Sequence, residues 1–191
     1  MNALIHETVP RKRGPRIILI TGNMAAGKST VAQALAERLP MSVHLRGDLF
    51  RRMIVNGRAE PDLELSAEAQ RQLQLRYDLA VEVALRYAQA GFTVVYQDIV
   101  IGDALEQVAH AFEPHPLDVV MLCPRAEVIA AREQARDKTG YSDRAAVDAF
   151  DELLRAATPR IGYWLDSSDL SVAETVAAIV THLKLETIKG A

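Results

Sequence analysis

The octapeptide at residues 22–29, Gly-Asn-Met-Ala-Ala-Gly-Lys-Ser, constrains the fold of this chain more than any other stretch. It has the spacing G-x-x-x-x-G-K-[ST] of a P-loop. Residues 16–21 before it are apolar and β-branched, which predicts a buried parallel strand. Residues 29–39 carry apolar side chains at helical spacing and stop at Pro40. The motif therefore lies between a strand and a helix, as a phosphate-binding turn requires.

The residue types of the motif suit a triphosphate. Gly22 and Gly27 let the backbone curl so that its N–H groups point inward, and the positive end of the following helix adds to them. Lys28 is expected to reach the β- and γ-phosphates, and the Ser29 hydroxyl to bind Mg²⁺. The candidate nucleotide-binding residues are Gly22, Asn23, Met24, Ala25, Ala26, Gly27, Lys28, Ser29 and Thr30.

Length and composition indicate one domain. The 191 residues suffice for an α/β domain with a sizeable core, which we expect over residues 16–191. Residues 1–15 are expected to form a flexible, solvated arm rather than a signal peptide. No apolar run is long enough to span a membrane.

Charge and cysteine usage narrow the expected setting. A formal net charge of −3 argues against a dedicated nucleic-acid-binding protein, since such proteins need a basic surface. Cys123 is the only cysteine, so no intrachain disulfide can form, and a reducing, cytoplasmic setting is expected. Cys123 falls in an apolar run and is predicted to be a buried small hydrophobe.

Strands alternate with helices along the chain. This predicts a doubly wound parallel sheet with right-handed crossovers, in which ligands bind beyond the carboxyl ends of the strands. The stripe on the longest helix is Ala69, Leu73, Tyr77, Ala80, Ala84 and Tyr87, and Ser171 with Glu174 has the spacing of a capping box. The predicted strands are 16–21, 43–46, 93–97, 117–122 and 161–165, and the predicted helices are 29–39, 48–55, 66–90, 102–113, 125–137, 142–157 and one that follows Ser171.

Asp48 follows the second predicted strand, with Arg51 and Arg52 one turn later. A carboxylate here could orient an acceptor hydroxyl or take its proton, and the arginines could hold anionic groups of the acceptor. Asp48 could equally be a helix cap, with the two arginines solvated on the surface. Because a P-loop lies in the same sheet, we favour the functional interpretation of these three residues.

Asp98 follows the third strand, where P-loop proteins place a carboxylate that holds Mg²⁺. We therefore predict metal binding by Ser29 and Asp98, and substrate contact by Gln97. The alternative for Asp98 is a helix or turn cap.

Arg132 and Arg136 share one helix face, and Lys138 follows. They could close over the phosphates as an arginine finger in cis. They could equally be a charged helix face paired with Glu127, Glu133 and Asp137. The histidines show no metal-ligand spacing.

The order of these motifs resembles the small P-loop phosphotransferases similar to chloramphenicol phosphotransferase, which lie near gluconate kinase and shikimate kinase. The resemblance rests on residues 22–29, 47–49, 97–102, 131–137 and 165–168. It implies a three-layer αβα sandwich of about five parallel strands with a helical lid. It also implies ATP and Mg²⁺, and γ-phosphoryl transfer to a hydroxyl of a small molecule. Asp48 would be the base, and Arg132 and Arg136 the lid arginines, with Lys28 completing the catalytic set.

The resemblance leaves the acceptor open. Gln97 stands where the chloramphenicol enzyme has an aspartate, and Arg51, Arg52 and residues 55–65 match nothing in that family's pattern. One alternative is a nucleotide or nucleotide-sugar kinase, including toxin-like members, in which the arginines bind an acceptor phosphate. Another is a non-catalytic ATP-binding regulatory protein, against which the carboxylate at Asp48 argues.

Overall fold

The structure, a computed structural model, describes residues 14–59, 66–134 and 144–188, and this part of the chain contains seven helices and five strands. The strands are β1 (Ile17–Gly22), β2 (Ser42–Arg46), β3 (Thr93–Gln97), β4 (Leu117–Leu122) and β5 (Tyr163–Leu165). The helices are α1 (Lys28–Arg38), α2 (Asp48–Arg52), α3 (Ala67–Gln89), α4 (Asp103–Ala111), α5 (Ala126–Gln134), α6 (Arg144–Ala157) and α7 (Val172–Leu183).

The strands form one parallel sheet in the order β2-β3-β1-β4-β5. The central strand β1 is wholly buried, as its apolar, β-branched sequence predicts. Gln97 at the end of β3 lies opposite Ile20 of β1 and Arg46 of β2. The ends of these three strands therefore meet at one edge of the sheet, which confirms the predicted doubly wound architecture.

Helices cover both faces of the sheet. Side chains alternate along β1, so that Ile17 and Leu19 belong to one apolar cluster and Ile18 and Ile20 to another. The first cluster includes residues of α3, α4 and α6, and the second includes residues of α1 and α7. The predicted three-layer αβα sandwich is confirmed. None of the described helices is long and apolar enough to cross a membrane.

The helix caps agree closely with those predicted from the sequence, and the buried helix faces agree less closely. Ser66 caps α3 by accepting from the Ala69 N–H, and Ser171 and Glu174 form the predicted capping box of α7. Tyr87 was predicted on the buried stripe of α3 but is 41% exposed, whereas Ala88 is buried. The predicted stripe continued from Ala84 to the residue three positions later, whereas the buried face of the helix continues to the residue four positions later.

Candidate active site

The P-loop joins β1 to α1 through backbone conformations that its glycines permit. Gly22 has φ +136°, and a Cβ there would lie 2.2 Å from the Leu122 carbonyl oxygen of the neighbouring strand. Gly27 precedes α1 with φ +91°. The loop therefore curls tightly against β4 and ends at the N-terminus of α1, whose free N–H groups favour an anion.

Lys28 lies along this loop. Its Nζ donates to the Asn23 carbonyl oxygen at 2.5 Å, and the residue is only 7% exposed. The side chain is therefore nearly buried, and its ammonium group returns to the backbone of its own loop. The contact holds the charge of Lys28 at the turn where phosphates would bind.

Asn23 links the loop to α6. It is 1% exposed, and its Nδ2 donates to Asp151 Oδ1 at 3.2 Å. Its Oδ1 is buried without a hydrogen-bond partner among the described residues. Met24 and Ala25 pack against a small apolar cluster around Ile129 of α5 and Val147 of α6. The helices that follow β4 therefore contact the P-loop directly.

Ser29 and Gln97 form the contact between the P-loop and β3. The Ser29 hydroxyl donates to Gln97 Oε1 at 3.1 Å, and Gln97 is buried. Because the hydroxyl proton points to Gln97, the oxygen lone pairs of Ser29 are left for a cation. Gln97 was predicted as a substrate contact, and the structure brings it to the predicted metal ligand.

Asp98 faces a different group. Its carboxylate is fully buried and forms an ion pair with Arg76 of α3, whose Nε donates to Oδ2 at 2.9 Å. The Tyr96 hydroxyl donates to Oδ2 at 3.2 Å, and the Ile99 N–H to Oδ1 at 2.7 Å. The predicted metal role of Asp98 stays a prediction: both of its oxygens accept from donors of the chain, and the group that contacts Ser29 is Gln97.

Arg76 is the residue that sequence reasoning missed. Burial lowers its pKa from the usual value, and the nearby charges of Tyr77, Tyr96 and Asp48 oppose that shift. The ion pair thus keeps two buried charges together between α3 and the end of β3. A polar residue bordering the apolar stripe of α3 was the signal available in the sequence.

Asp48 begins α2 directly beside this pair. Gly47 donates its N–H to the Gln97 carbonyl at 3.0 Å, and a Cβ on Gly47 would lie 1.9 Å from Asp98 Oδ2. Only glycine therefore allows α2 to begin so close to β3. The backbone just before Asp48 is therefore tied to the end of the neighbouring strand β3.

The two oxygens of Asp48 differ in their surroundings. Oδ2 forms an ion pair with Arg52 at 2.7 Å, while Oδ1 lies 3.5 Å from Arg46 Nε. Oδ1 is buried and has no hydrogen-bond partner among the described residues. A buried carboxylate oxygen without a donor is suited to accept a hydrogen bond from a ligand hydroxyl.

The predicted acceptor arginines are used differently. Arg52 pairs with Asp48 and is largely exposed, whereas Arg51 donates to the Ala59 carbonyl oxygen at 2.8 Å. Gln72 of α3 braces the same loop, since its amide donates to Gly57 O and accepts from the Ala59 N–H. Arg51 and Gln72 thus hold the loop that follows α2 in place.

Arg132 of α5 reaches the P-loop. Its Nη1 donates to the Ala26 carbonyl oxygen at 3.4 Å and its Nη2 to the Ser167 carbonyl oxygen at 3.3 Å. The guanidinium also lies 3.8 Å from where a Cβ of Gly27 would be. The structure therefore brings one predicted lid arginine to the phosphate turn, while Arg136 and Lys138 lie outside the described residues.

The donor set fits a nucleotide phosphate chain with one cation. The glycine turn, the start of α1 and Lys28 supply N–H groups and positive charge, and the Ser29 hydroxyl supplies an oxygen ligand. Among the described residues, no group of three or more His, Cys, Asp or Glu could hold a metal ion alone. A cation here would therefore need the phosphates as ligands, as Mg²⁺ in kinase sites does. Cys123 is buried and free, as predicted, and burial raises the pKa of its thiol.

The parallel sheet, the P-loop and the carboxylate beyond β2 define a P-loop nucleotide-binding α/β protein. The chain belongs to the AAA domain family AAA_33, whose model matches residues 17–159. The expected resemblance to small P-loop phosphotransferases is confirmed at this level. A comparison with curated protein sequences gave no significant match.

Solved structures with this fold include several kinases. The tunicamycin resistance protein of Deinococcus radiodurans aligns with a TM-score of 0.70 at 18% identity, covering 92% of this chain and 98% of the other. A gluconokinase from Sinorhizobium meliloti 1021 aligns with a TM-score of 0.59 at 18% identity, and the alignment covers 91% of this chain and 98% of the gluconokinase. An APS kinase of Mycobacterium tuberculosis, solved with AMPPNP and APS, aligns with a TM-score of 0.61 at 17% identity. The alignment covers 91% of this chain and 99% of the APS kinase. These likenesses show the shared fold.

Proposed function

We propose that this protein is an ATP- and Mg²⁺-dependent phosphotransferase that moves the γ-phosphoryl group to a hydroxyl of a small molecule. The observation that carries the proposal is Asp48, whose Oδ2 is held by Arg52 while its buried Oδ1 has no hydrogen-bond partner among the described residues. It lies at the same edge of the sheet as the P-loop. The names of the similar structures, gluconokinase and APS kinase, agree with this chemistry.

The P-loop residues 22–30 bind the phosphates in this proposal. The backbone N–H groups at the start of α1 and the Lys28 ammonium surround the β- and γ-phosphates, and the Ser29 hydroxyl binds the cation. A bound Mg²⁺ neutralises part of the phosphate charge. Lys28 stays within reach of the loop through its contact with Asn23 O.

Asp48 acts on the acceptor. Its Oδ1 accepts the hydrogen bond of the acceptor hydroxyl, which orients the oxygen towards the γ-phosphorus. As the new oxygen–phosphorus bond forms, the bond from the γ-phosphorus to the bridging oxygen of ADP breaks. The hydroxyl proton moves to Asp48, and ADP takes the electron pair of the broken bond. The products are ADP and a phosphate monoester.

Arg132 neutralises the charge that develops on the transferred group. It is already hydrogen-bonded to Ala26 O and Ser167 O, beside the phosphate turn. A guanidinium supplied from the same chain in this way acts as an arginine finger. We propose the same role for Arg136, four residues later in the sequence.

The acceptor is proposed to bind beside Asp48 at the start of α2. Arg51 and Arg52 are proposed to line this binding site, and the positive charge of these arginines favours an anionic or polyhydroxylated small molecule. The net charge of −3 speaks against a nucleic-acid acceptor. A cytoplasmic setting agrees with the single buried cysteine.

The test is ADP formation by the full chain with ATP and Mg²⁺ across a panel of hydroxylated metabolites, antibiotics and nucleotides. We expect one acceptor class to raise ADP formation above the background, with a product heavier by one phosphoryl group in mass spectrometry. Asp48→Asn should abolish that rise, and the matched variant Asp78→Asn, an exposed aspartate of α3, should retain it. ATP binding with no stimulation by any acceptor would contradict the proposal and favour a regulatory ATP-binding protein.

A further inference from the structure

Arg46 and Asp48 lie two residues apart beyond the middle of β2, and one unmet polar atom of each lies close to that of the other. Arg46 Nε is 3.5 Å from Asp48 Oδ1, and both atoms are buried. The contact is an ion pair by distance, but neither atom makes a hydrogen bond among the described residues. The pair therefore holds two charges together without the directional hydrogen bond that would lock them.

The two oxygens of Asp48 are covered unequally. The side chain as a whole is 26% exposed, whereas Oδ1 is closed off from solvent. Arg52 pairs with Oδ2 and is 60% exposed, and Arg46 lies beside Oδ1 and is 40% exposed. The oxygen proposed to accept the acceptor hydroxyl is thus the one that water does not reach. Because much of Arg46 is in solvent, its side chain can turn away without disturbing the core.

His44, two residues before Arg46 on the same side of β2, does not compete for the carboxylate. Burial lowers the pKa of His44, Arg46 lowers it further, and the charge of Asp48 opposes that shift. Its Nδ1 contacts Gln33 Oε1 at 2.8 Å, and its Nε2 is buried without a hydrogen-bond partner among the described residues. The imidazole is therefore neutral at pH 7, and Arg46 rather than His44 supplies positive charge beside Oδ1.

A base that accepts the proton of any hydroxyl also serves water. A water molecule at Oδ1 would attack the γ-phosphorus and lose its proton to Asp48, while the bond to the bridging oxygen of ADP breaks and ADP keeps its electron pair. The products would be ADP and inorganic phosphate. Water makes few contacts with which to displace Arg46, whereas an acceptor brings binding energy from the rest of its structure. Covering Oδ1 therefore distinguishes an acceptor from water.

We propose that Arg46 is a specificity-determining residue that closes Asp48 Oδ1 to water and is displaced when the acceptor binds. The inference rests on the proposed phosphotransferase activity and adds to it a way of limiting ATP hydrolysis. An ion pair that is not also a hydrogen bond suits this role, because a bound acceptor can separate the two groups.

The experiment needs no identified acceptor, because water is the probe. ADP formation by the full chain is measured with ATP and Mg²⁺ alone. Arg46→Met keeps an unbranched side chain and removes the guanidinium, and it is expected to raise acceptor-free ADP formation about fivefold, since the ion pair no longer has to be broken. Arg46→Ala, which removes the stem as well, should raise it at least as much.

A second substitution shows whether the added hydrolysis passes through Oδ1. Arg46→Met combined with Asp48→Asn should hydrolyse ATP no faster than Asp48→Asn alone, because the uncovered base is missing. A merely structural loosening of β2 would raise hydrolysis in both backgrounds. The matched control Arg86→Met, at an exposed arginine of α3, should hydrolyse ATP at the wild-type rate. Thermal melting verifies that each variant is folded.

The outcomes distinguish the two proposals. No rise in either Arg46 variant, or a rise that persists in the double variant, would overturn the role of Arg46 while the wild-type chain still binds ATP in a calorimetric titration. A wild-type chain that binds no ATP would overturn the proposed function as well. A rise that depends on Asp48 would establish that Arg46 closes the base to water.

Discussion

The two regions of the proposed site are built in different ways. The nucleotide region, residues 22–30, is one continuous segment whose shape is set by backbone conformation, with Lys28 bonded to a carbonyl of its own loop. The acceptor region, formed by Asp48, Arg52, Arg76 and Asp98, joins α2, α3 and the end of β3 through side-chain ion pairs. The first region depends on the peptide chain itself, and the second depends on distant side chains meeting correctly.

This difference separates phosphate binding from the choice of acceptor in physical terms. A backbone cradle binds any phosphate chain, because N–H groups do not depend on the surrounding side chains. Ion pairs and hydrogen-bonded loops can be exchanged without altering the cradle. We therefore expect changes in the nucleotide region to affect every acceptor alike, and changes in the acceptor region to alter which acceptor is used.

The largest effect is expected at Lys28. Lys28→Met should lower phosphoryl transfer by about 10³-fold or more, because a charge placed at the developing transition state is removed. The melting temperature should stay near wild type, since methionine fills the buried stem. Steady-state ADP formation and thermal melting check this. Residual transfer near the wild-type rate would show that the loop binds phosphates without the lysine.

Asp48 is expected to act on transfer and not on ATP. Asp48→Asn should reduce the rate with the identified acceptor by about 10²- to 10³-fold, in the range of a lost general base. The dissociation constant of ATP should change little, because Asp48 is outside the P-loop. A rate comparison is made against Asp78→Asn. An equal loss of rate and of ATP affinity would contradict the proposal that the two regions have separate roles.

Arg76 tests the structural side of the acceptor region. Arg76→Met leaves the fully buried Asp98 carboxylate without its guanidinium, which should cost about 3 kcal/mol of folding free energy. Asp98→Asn combined with Arg76→Met should recover part of that loss, because the uncompensated charge is gone. Urea unfolding of the single and double variants measures both. A double variant as unstable as the sum of the single ones would mean that the pair is not coupled.

The smallest effect concerns a helix cap that belongs to neither region. Ser171→Ala removes the hydroxyl that accepts the Glu174 N–H at the start of α7, and about 1 kcal/mol of stability should be lost. ATP affinity and transfer should be unchanged. Urea unfolding and an ATP titration check it, and a change in ATP affinity would show that α7 influences the nucleotide region.

Local patterns were sufficient for much of the fold. The P-loop, the buried central strand, the alternation of strands and helices and the capping box of α7 all follow from spacing within a few residues. Each depends on contacts between near neighbours or on backbone conformation, which the sequence specifies locally. Asp48 was located beyond β2 for the same reason, since its place depends only on where that strand ends.

The partners of the site residues depended on the tertiary structure. Successive side chains at a strand end point to opposite sides, so Gln97 meets Ser29 and Asp98 turns to Arg76. The register of β3 against β1 decides which of these two side chains points towards the P-loop. That register cannot be predicted from local spacing in the sequence. Likewise Arg76 and Gln72 enter the site only because α3 packs beside α2 and the loop after it. The sequence by itself determined the nucleotide turn and the order of the layers, because neighbouring residues carry that information. The assembly of the acceptor region was decided by packing between segments far apart in the chain.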